Sequence, residues 1–280
     1  HPSASARLGV VLALRKLREP ALASFLTDSD PRIVLEAARA IYDERVTKAY
    51  PELANLLARP GVSDPIVRRA MQAHYRLGAA ANAKAIAAYA AQGDADEARR
   101  IDAIELLEKW ESPPTRDGVL NQYQPLAKRD AQPALDAFHA VLPRLLVRQD
   151  KPGLAAVQMA ARLGLTEVGP VLQKLVETKE GTAAGRADAL RALDAVDTNG
   201  ARELVVASLS DLQGDVRSAA REVLAKREPA RALPTLAQAL LEGELRERQA
   251  AARVLASLQT AESLEPLSKA LAAVEAGSFP

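Results

Sequence analysis

One short pattern recurs along this chain at nearly constant spacing, and that recurrence limits what the chain can fold into. Its clearest copy is GDVRSAAREVLAKREP, Gly214 to Pro229, which opens on an acidic turn residue, Asp215, and continues through Arg217, Ala220, Val223 and Leu224. With the arginine at zero, small or apolar side chains fall at +3 and +6 and an apolar one at +7, the spacing of one buried helical face. Arg68 leads in the same way to Met71, Arg100 to Ala103, Leu106 and Leu107, Arg186 to Ala189, Ala192 and Leu193, and Arg248 to Ala251, Val254 and Leu255. Leu35 and Leu154 stand in the arginine slot of two further copies. The +3 positions, Ala38, Met71, Ala103, Val157, Ala189, Ala220 and Ala251, lie 33, 32, 54, 32, 31 and 31 residues apart. A fixed period of this size is the mark of a solenoid, in which each repeat buries its apolar face against its neighbours.

Between the copies lies a second signature, P-x-L followed by bulky or apolar positions. It reads PALASFL from Pro20, PELANLL from Pro51, PVLQKLV from Pro170 and PTLAQAL from Pro234, with PALDAFH from Pro133 as a looser copy. Proline is tolerated in the first turn of a helix, where its missing N–H would be unpaired anyway, and bends the helix further in. The unit is therefore a pair of helices, a proline-bearing first helix and an arginine-bearing second one.

Paired antiparallel helices, with proline in the first and an acidic turn followed by Val-Arg-x-x-Ala in the second, resemble HEAT repeats over nearly the whole chain. The resemblance implies an all-α fold, an α-α superhelix (a HEAT-like solenoid) of about eight antiparallel helix pairs, with first helices outside and second helices lining a groove. It implies no single function. A single domain over residues 1–280 is expected, interrupted by an irregular insertion at about 111–133.

Composition agrees with this reading. Apolar residues make up 48% of the chain but aromatic ones only 3%, so the core is built from Ala, Leu and Val, whose small side chains let stacked helices approach closely. Strand signals are absent: no alternating β-branched runs occur, and glycines stand at helix ends. The net charge of +1 provides no global field for nucleic acid or an anionic membrane. No apolar run approaches the roughly 18 residues of a membrane span. Without cysteine there is no disulfide, thiolate metal site or cysteine nucleophile. His1, His74 and His139 lie far apart and lack a ligand partner at helical spacing, and the phosphate-loop and nucleophile-elbow motifs are missing. The segment is expected not to be an enzyme and to need no cofactor or metal. Its expected partner is a protein, with no nucleic acid and no membrane insertion.

The ends suggest a piece of something longer. Ala4 to Leu17 reads as a second-type helix with nothing before it, and the last stretch, AESLEPLSKAL, as a first-type helix without a mate; solenoid ends normally carry polar caps, although a natural half-repeat would look the same. The acids Asp64, Asp96, Asp215 and Glu244, which precede the template arginine or its slot, read either as ligands or, in the structural alternative, as helix caps that pair with a ladder of Arg68, Arg100, Arg186, Arg217 and Arg248. Side chains flanking the buried face of the second helices are the candidate partner contacts: Arg39, Gln72, Arg76, Glu105, Arg191, Arg221, Glu222 and Arg253. They are mixed in sign with an excess of arginine, which suits a protein or peptide better than a polyanion.

After Trp110 the pattern breaks. ESPPTRDGVLNQYQPLAKRDAQP, Glu111 to Pro133, has no full helical period and accounts for the 54-residue interval. Insertions at a solenoid edge carry binding loops, so Trp110, Arg116, Tyr123 and Arg129 are candidate contacts; alternatively the aromatic pair covers an edge where the repeats change register.

A narrower resemblance rests on RLGVVLALRKLREPALASFLTDSDPRIVLEAARAI, on the RLG-ended helix and on the PxxRDGV break. These look like the HEAT segment of large exported propeller-dehydrogenase/cytochrome c proteins of the planctomycete type. The resemblance implies a docking or spacer module outside the cytoplasm, periplasmic or exported; nothing catalytic carries over, since the chain holds neither CxxCH nor propeller strands. The alternative is an enzyme or helper on HEAT-like repeats, such as the phycobilin lyases or the alkylpurine DNA glycosylases.

Overall fold

The structure, a computed structural model, describes residues 2–146, 150–178, 182–196 and 198–278. It is all-α: among the described residues there is no strand, only one isolated bridge between Arg116 and Tyr123. The chain falls into two compact units, residues 1–156 and 157–280, and each stacks helices in the manner of a HEAT-like helical repeat.

The first unit holds α1 (Ala4–Leu17), α2 (Pro31–Asp43), α3 (Tyr50–Ala54), α4 (Asp64–Leu77), α5 (Ala80–Ala90), α6 (Glu97–Glu108) and α7 (Gln132–Leu146). Helix α8 (Lys151–Arg162) runs across the boundary. The second unit holds α9 (Gly169–Glu177), α10 (Ala183–Val196), α11 (Thr198–Ser208), α12 (Gly214–Arg227), α13 (Pro229–Glu242), α14 (Leu245–Leu258) and α15 (Ala261–Glu275). Even-numbered helices, from α2 to α14, carry the arginine template. In the first unit α2 packs on α1 and α4, and in the second α12 packs on α10 and α14, so second helices lie side by side.

The template explains this packing. All seven +3 side chains, from Ala38 to Ala251, are buried, and so are the +7 residues Tyr42, Tyr75, Leu107, Ala161, Leu193, Leu224 and Leu255. Between the helices of the first unit sit Ile33, Ile41, Leu53, Ile86, Ile104 and Leu145, none more than 2% exposed. In the second unit Ala219, Ala220, Val223 and Leu236 are fully covered. Alanine at the closest contacts leaves interdigitation to Leu, Ile and Val, as dense packing requires.

Helix ends follow local chemistry. The Asp30 side chain accepts from the Arg32 N–H at the start of α2, and Asp96 accepts from Arg99 at the start of α6. Gly78 closes α4 with φ 71° and Gly164 follows α8 with φ 70°, a left-handed backbone that glycine adopts without penalty. That requirement is why both helices end in the same Arg-Leu-Gly.

First helices depart from the sequence reading at the N-terminal end. Pro20–Thr27 is a 3-10 helix, and the stretch from Thr47 to Ala58 alternates 3-10 turns with the single α-helical piece α3. A 3-10 helix rises about 2.0 Å per residue against about 1.5 Å in an α-helix, so these short segments span more distance per residue. Helices α5 and α11 fill the first-helix place without the proline signature.

Candidate functional site

The irregular stretch after α6 is ordered by one carboxylate. Between Lys109 and Ala131 the chain forms no helix and instead folds back on itself, with the Asp117 N–H donating to Gln122 O at 2.9 Å and Gln124 N–H to Thr115 O at 2.9 Å. The side chain of Asp117, fully buried, turns into the first unit. One of its oxygens accepts from the N–H groups of Val119 (2.8 Å) and Leu120 (2.7 Å). The other accepts from Arg76 Nη2 of α4 at 2.7 Å and from the hydroxyl of Tyr42 of α2. Arg76 Nε lies 3.2 Å from the Tyr42 oxygen, closing the triangle.

The ionisation follows from these partners. Burial works to raise the pKa of Asp117, but the bonds from Tyr42, Leu120, Arg76 and Val119 outweigh it and hold the carboxyl below its ordinary value. Burial and the neighbouring carboxylate drive the Tyr42 phenol upward, so it stays a donor. The loop is thus pinned by a charged hydrogen-bond network with every strong acceptor position used.

A second clasp holds the loop's far end. Arg129 stacks over Trp110, 3.7 Å from the ring centroid, and over Tyr75 at 4.4 Å, while Nε donates to Trp110 O at 2.8 Å and Nη1 to Tyr75 O at 2.5 Å. Burial holds its pKa below the ordinary value. Tyr75 and Trp110 meet edge to face at 5.7 Å, and the Tyr75 hydroxyl donates to Lys109 O.

Between this loop and helices α4 and α6 lies a cleft of about 380 Å³, within the range of ligand-binding clefts. Its basic side chains are Arg68, Arg76, Arg99, Lys109 and Arg116, and its acidic ones Asp102, Glu105 and Asp117. Three of these pair off: Arg76 with Asp117, Arg99 with Asp102, and Lys109 with Glu105 at 2.8 Å. Arg68 and Arg116 form no ion pair among the described residues, although the charge of Arg68 is felt by Asp102. Each is held in place by a loop carbonyl, Arg68 Nη2 by Gly118 O at 3.2 Å and Arg116 Nη1 by Asn121 O at 2.8 Å.

The residues expected to meet a partner distribute unevenly. Gln72, Arg76, Glu105 and Arg116 all line this cleft together with Arg68. Trp110 is 1% exposed, and the half-buried Arg129 guanidinium is held over its ring and that of Tyr75. Tyr123, by contrast, is 70% exposed at the folded-back loop. Arg39 is exposed on α2 beside Glu36. In the second unit Arg191 is joined to Glu222 at 2.9 Å and Arg221 to Glu247 at 2.8 Å, whereas Arg253 is exposed.

Template arginines other than Arg68 reach toward the next repeat or their own preceding turn. Arg100 Nη1 meets Asp150, just before α8, at 2.8 Å; Arg186 meets Asp211, before α12, at 2.6 Å; Arg217 meets Glu247, at the start of α14, at 2.5 Å. Arg248 donates to Gly243 O at 2.5 Å. The acids that make these contacts differ from Asp64, Asp96, Asp215 and Glu244, of which Asp96 instead caps α6. Arg7 of α1 does the same with Asp28, at 2.7 Å, which the template did not reveal since α1 carries no acidic turn before it. Among the described residues no group of His, Asp and Glu could hold a metal ion, and no helix is long and apolar enough to cross a membrane.

No family model matches the chain, and no curated protein does. Among solved structures it is similar to one described as the complex of CpcE and CpcF of phycocyanin lyase from Nostoc sp. PCC7120, at 18% identity and a TM-score of 0.37, covering 89% of this chain and 92% of that one. That neighbour is part of a two-protein complex. It also corrects the expectation that the segment is not an enzyme. That neighbour is described as a lyase, which is an enzyme.

Proposed function

We propose that the chain is a protein-binding helical-repeat module whose working surface is the cleft between α4, α6 and the folded-back loop. The observation that carries this reading is that two guanidiniums, Arg68 and Arg116, form no ion pair among the described residues in a cleft whose other basic side chains each bond a carboxylate. Paired charges are a solvated wall; fixed unpaired ones complement a ligand. The finer reading, a docking or spacer module within a larger exported dehydrogenase-cytochrome protein, rests on the sequence resemblance alone.

The test is a photo-crosslinking residue at position 123, installed in cells that make the native protein. A single protein adduct, absent when the probe sits instead at the 85%-exposed Leu212, supports the module. No adduct at position 123 overturns it. A native chain far heavier than 29.9 kDa with a c-type haem spectrum supports the finer reading, and a colourless protein of that mass removes it. Saturable uptake of a phycobilin, seen as a shift in its absorbance, would instead assign the chain to the lyase-like helpers.

A further inference from the structure

Resting on the reading of the cleft as a protein-binding surface, we infer that its occupant is an extended acidic segment of a partner protein, with carboxylates alternating with apolar side chains. Three features of the cleft point to that chemistry. Arg68 comes from α4 and Arg116 from the loop, and each bonds a single loop carbonyl, so that further N–H donors of both are left without an ion pair among the described residues. Guanidiniums held in this way recognise carboxylates with directional, charge-assisted bonds. Apolar surface from Met71, Leu106 and Leu126 lies in the same cleft.

The third feature separates a peptide from a simple anion. Gln72, half-buried in the same cleft, has no hydrogen-bond partner among the described residues. Its amide nitrogen lies so close to the Gly118 backbone that a Cβ there would stand 2.5 Å away. The side chain is therefore held against the loop with its amide donor and acceptor open to solvent and to a ligand. A primary amide offers the same donor and acceptor pair as a peptide unit, and a backbone passing over α4 satisfies both at once. The internal precedent is Asp117, whose carboxylate already docks on Arg76 of the same helix α4.

The probe is a fluorescein-labelled hexapeptide, Gly-Asp-Leu-Asp-Leu-Gly, with its Asn counterpart, titrated into the full chain and followed by anisotropy. The acidic peptide should bind saturably and the Asn peptide at least tenfold more weakly. Arg68→Gln with Arg116→Gln should weaken the acidic peptide at least tenfold, Arg68→Lys with Arg116→Lys by less, and Gln72→Ala by several-fold. A melting profile within error of the parent for the Lys pair and for Gln72→Ala shows that the loop has not been lost. Equal binding of the two peptides, or none, overturns the inference. Succinate competing as tightly as the peptide overturns it too, by making the site one for small dicarboxylates. If the position-123 crosslink captures a protein while the peptides fail, only the acidic specificity falls; if both fail, the cleft is not the working surface.

Discussion

Arg76 and Asp117 are 41 residues apart in sequence and 2.7 Å apart in space, and that contact converts an irregular insertion into part of the folded unit. Removing one partner of a buried charged pair leaves the other uncompensated, typically at about 3–5 kcal/mol. Asp117→Ala should therefore lower the unfolding free energy by about 3 kcal/mol in urea and open the loop to proteolysis between residues 111 and 131. Tyr42→Phe, which removes one of several bonds to the same oxygen, should cost only ~1 kcal/mol. An Asp117→Ala protein as stable and as protease-resistant as its parent would mean the loop is held elsewhere.

Glu247 makes a separate prediction about acid. Hydrogen bonds from Arg217, opposed by burial and reinforced by Arg221, lower its pKa to about 2. A depressed carboxylate contributes stability that is whole above the unfolded value of about 4.3 and lost as pH falls toward the folded one. Thermal stability should therefore drop between about pH 5 and about pH 2, with this site supplying on the order of 2 kcal/mol. Glu247→Gln should lower the neutral-pH melting point and flatten that part of the profile. An unchanged acid limb in the Gln variant would show that the pair contributes nothing measurable.

The ladder arginines should differ in cost according to burial. Arg100 is 1% exposed, with Nε bonded to Ala90 O at 2.9 Å and Nη1 to Asp150 at 2.8 Å. Arg217 is 22% exposed on its side chain. Arg100→Ala should cost about 3–5 kcal/mol, and Arg217→Ala about 1–3 kcal/mol. Equal losses in chemical denaturation would mean that burial does not set the value of these contacts.

Gly78 carries two constraints at once. Its φ of 71° disfavours any side chain, and a Cβ there would stand 2.7 Å from Arg129 Nη1. Gly78→Ala should therefore cost more than Gly164→Ala, where φ is 70° but no neighbour lies within 4 Å. The latter should lose ~1 kcal/mol. A quenching experiment on Trp110, the chain's one tryptophan, would report whether Arg129 has left its ring in the Gly78 variant.

Much of the architecture was legible because burial follows period. Ala38, Met71 and Ala220 are buried at the positions that helical spacing assigns, and the side chains flanking that face, such as Gln72 and Arg253, are not. The arginine slot was equally plain. The partners were not, since the acid that meets Arg186 is Asp211 in the next repeat's turn, and sequence spacing alone does not say which repeat a long side chain faces. The insertion was harder still. Nothing local in the sequence reveals that Asp117 leaves its loop for Tyr42 and Arg76. Trp110 and Arg129 read as candidate contacts, with Trp110 alternatively covering an edge of the repeats; the sequence does not show that Arg129 lies over the Trp110 ring.

The pairs that join successive second helices have one property that local stability does not capture. Arg7 and Asp28 are 21 residues apart, Arg186 and Asp211 are 25 apart, Arg217 and Glu247 are 30 apart, and Arg100 and Asp150 are 50 apart. Each contact is anchored at a helix start and not at a fixed distance along the chain. Connecting segments can therefore lengthen or shorten by a whole loop while the junction between neighbours stays the same. Helices joined in this way can exchange their surface loops as interchangeable parts, and among these four pairs the one that spans the stretch bearing Asp117 uses that freedom most.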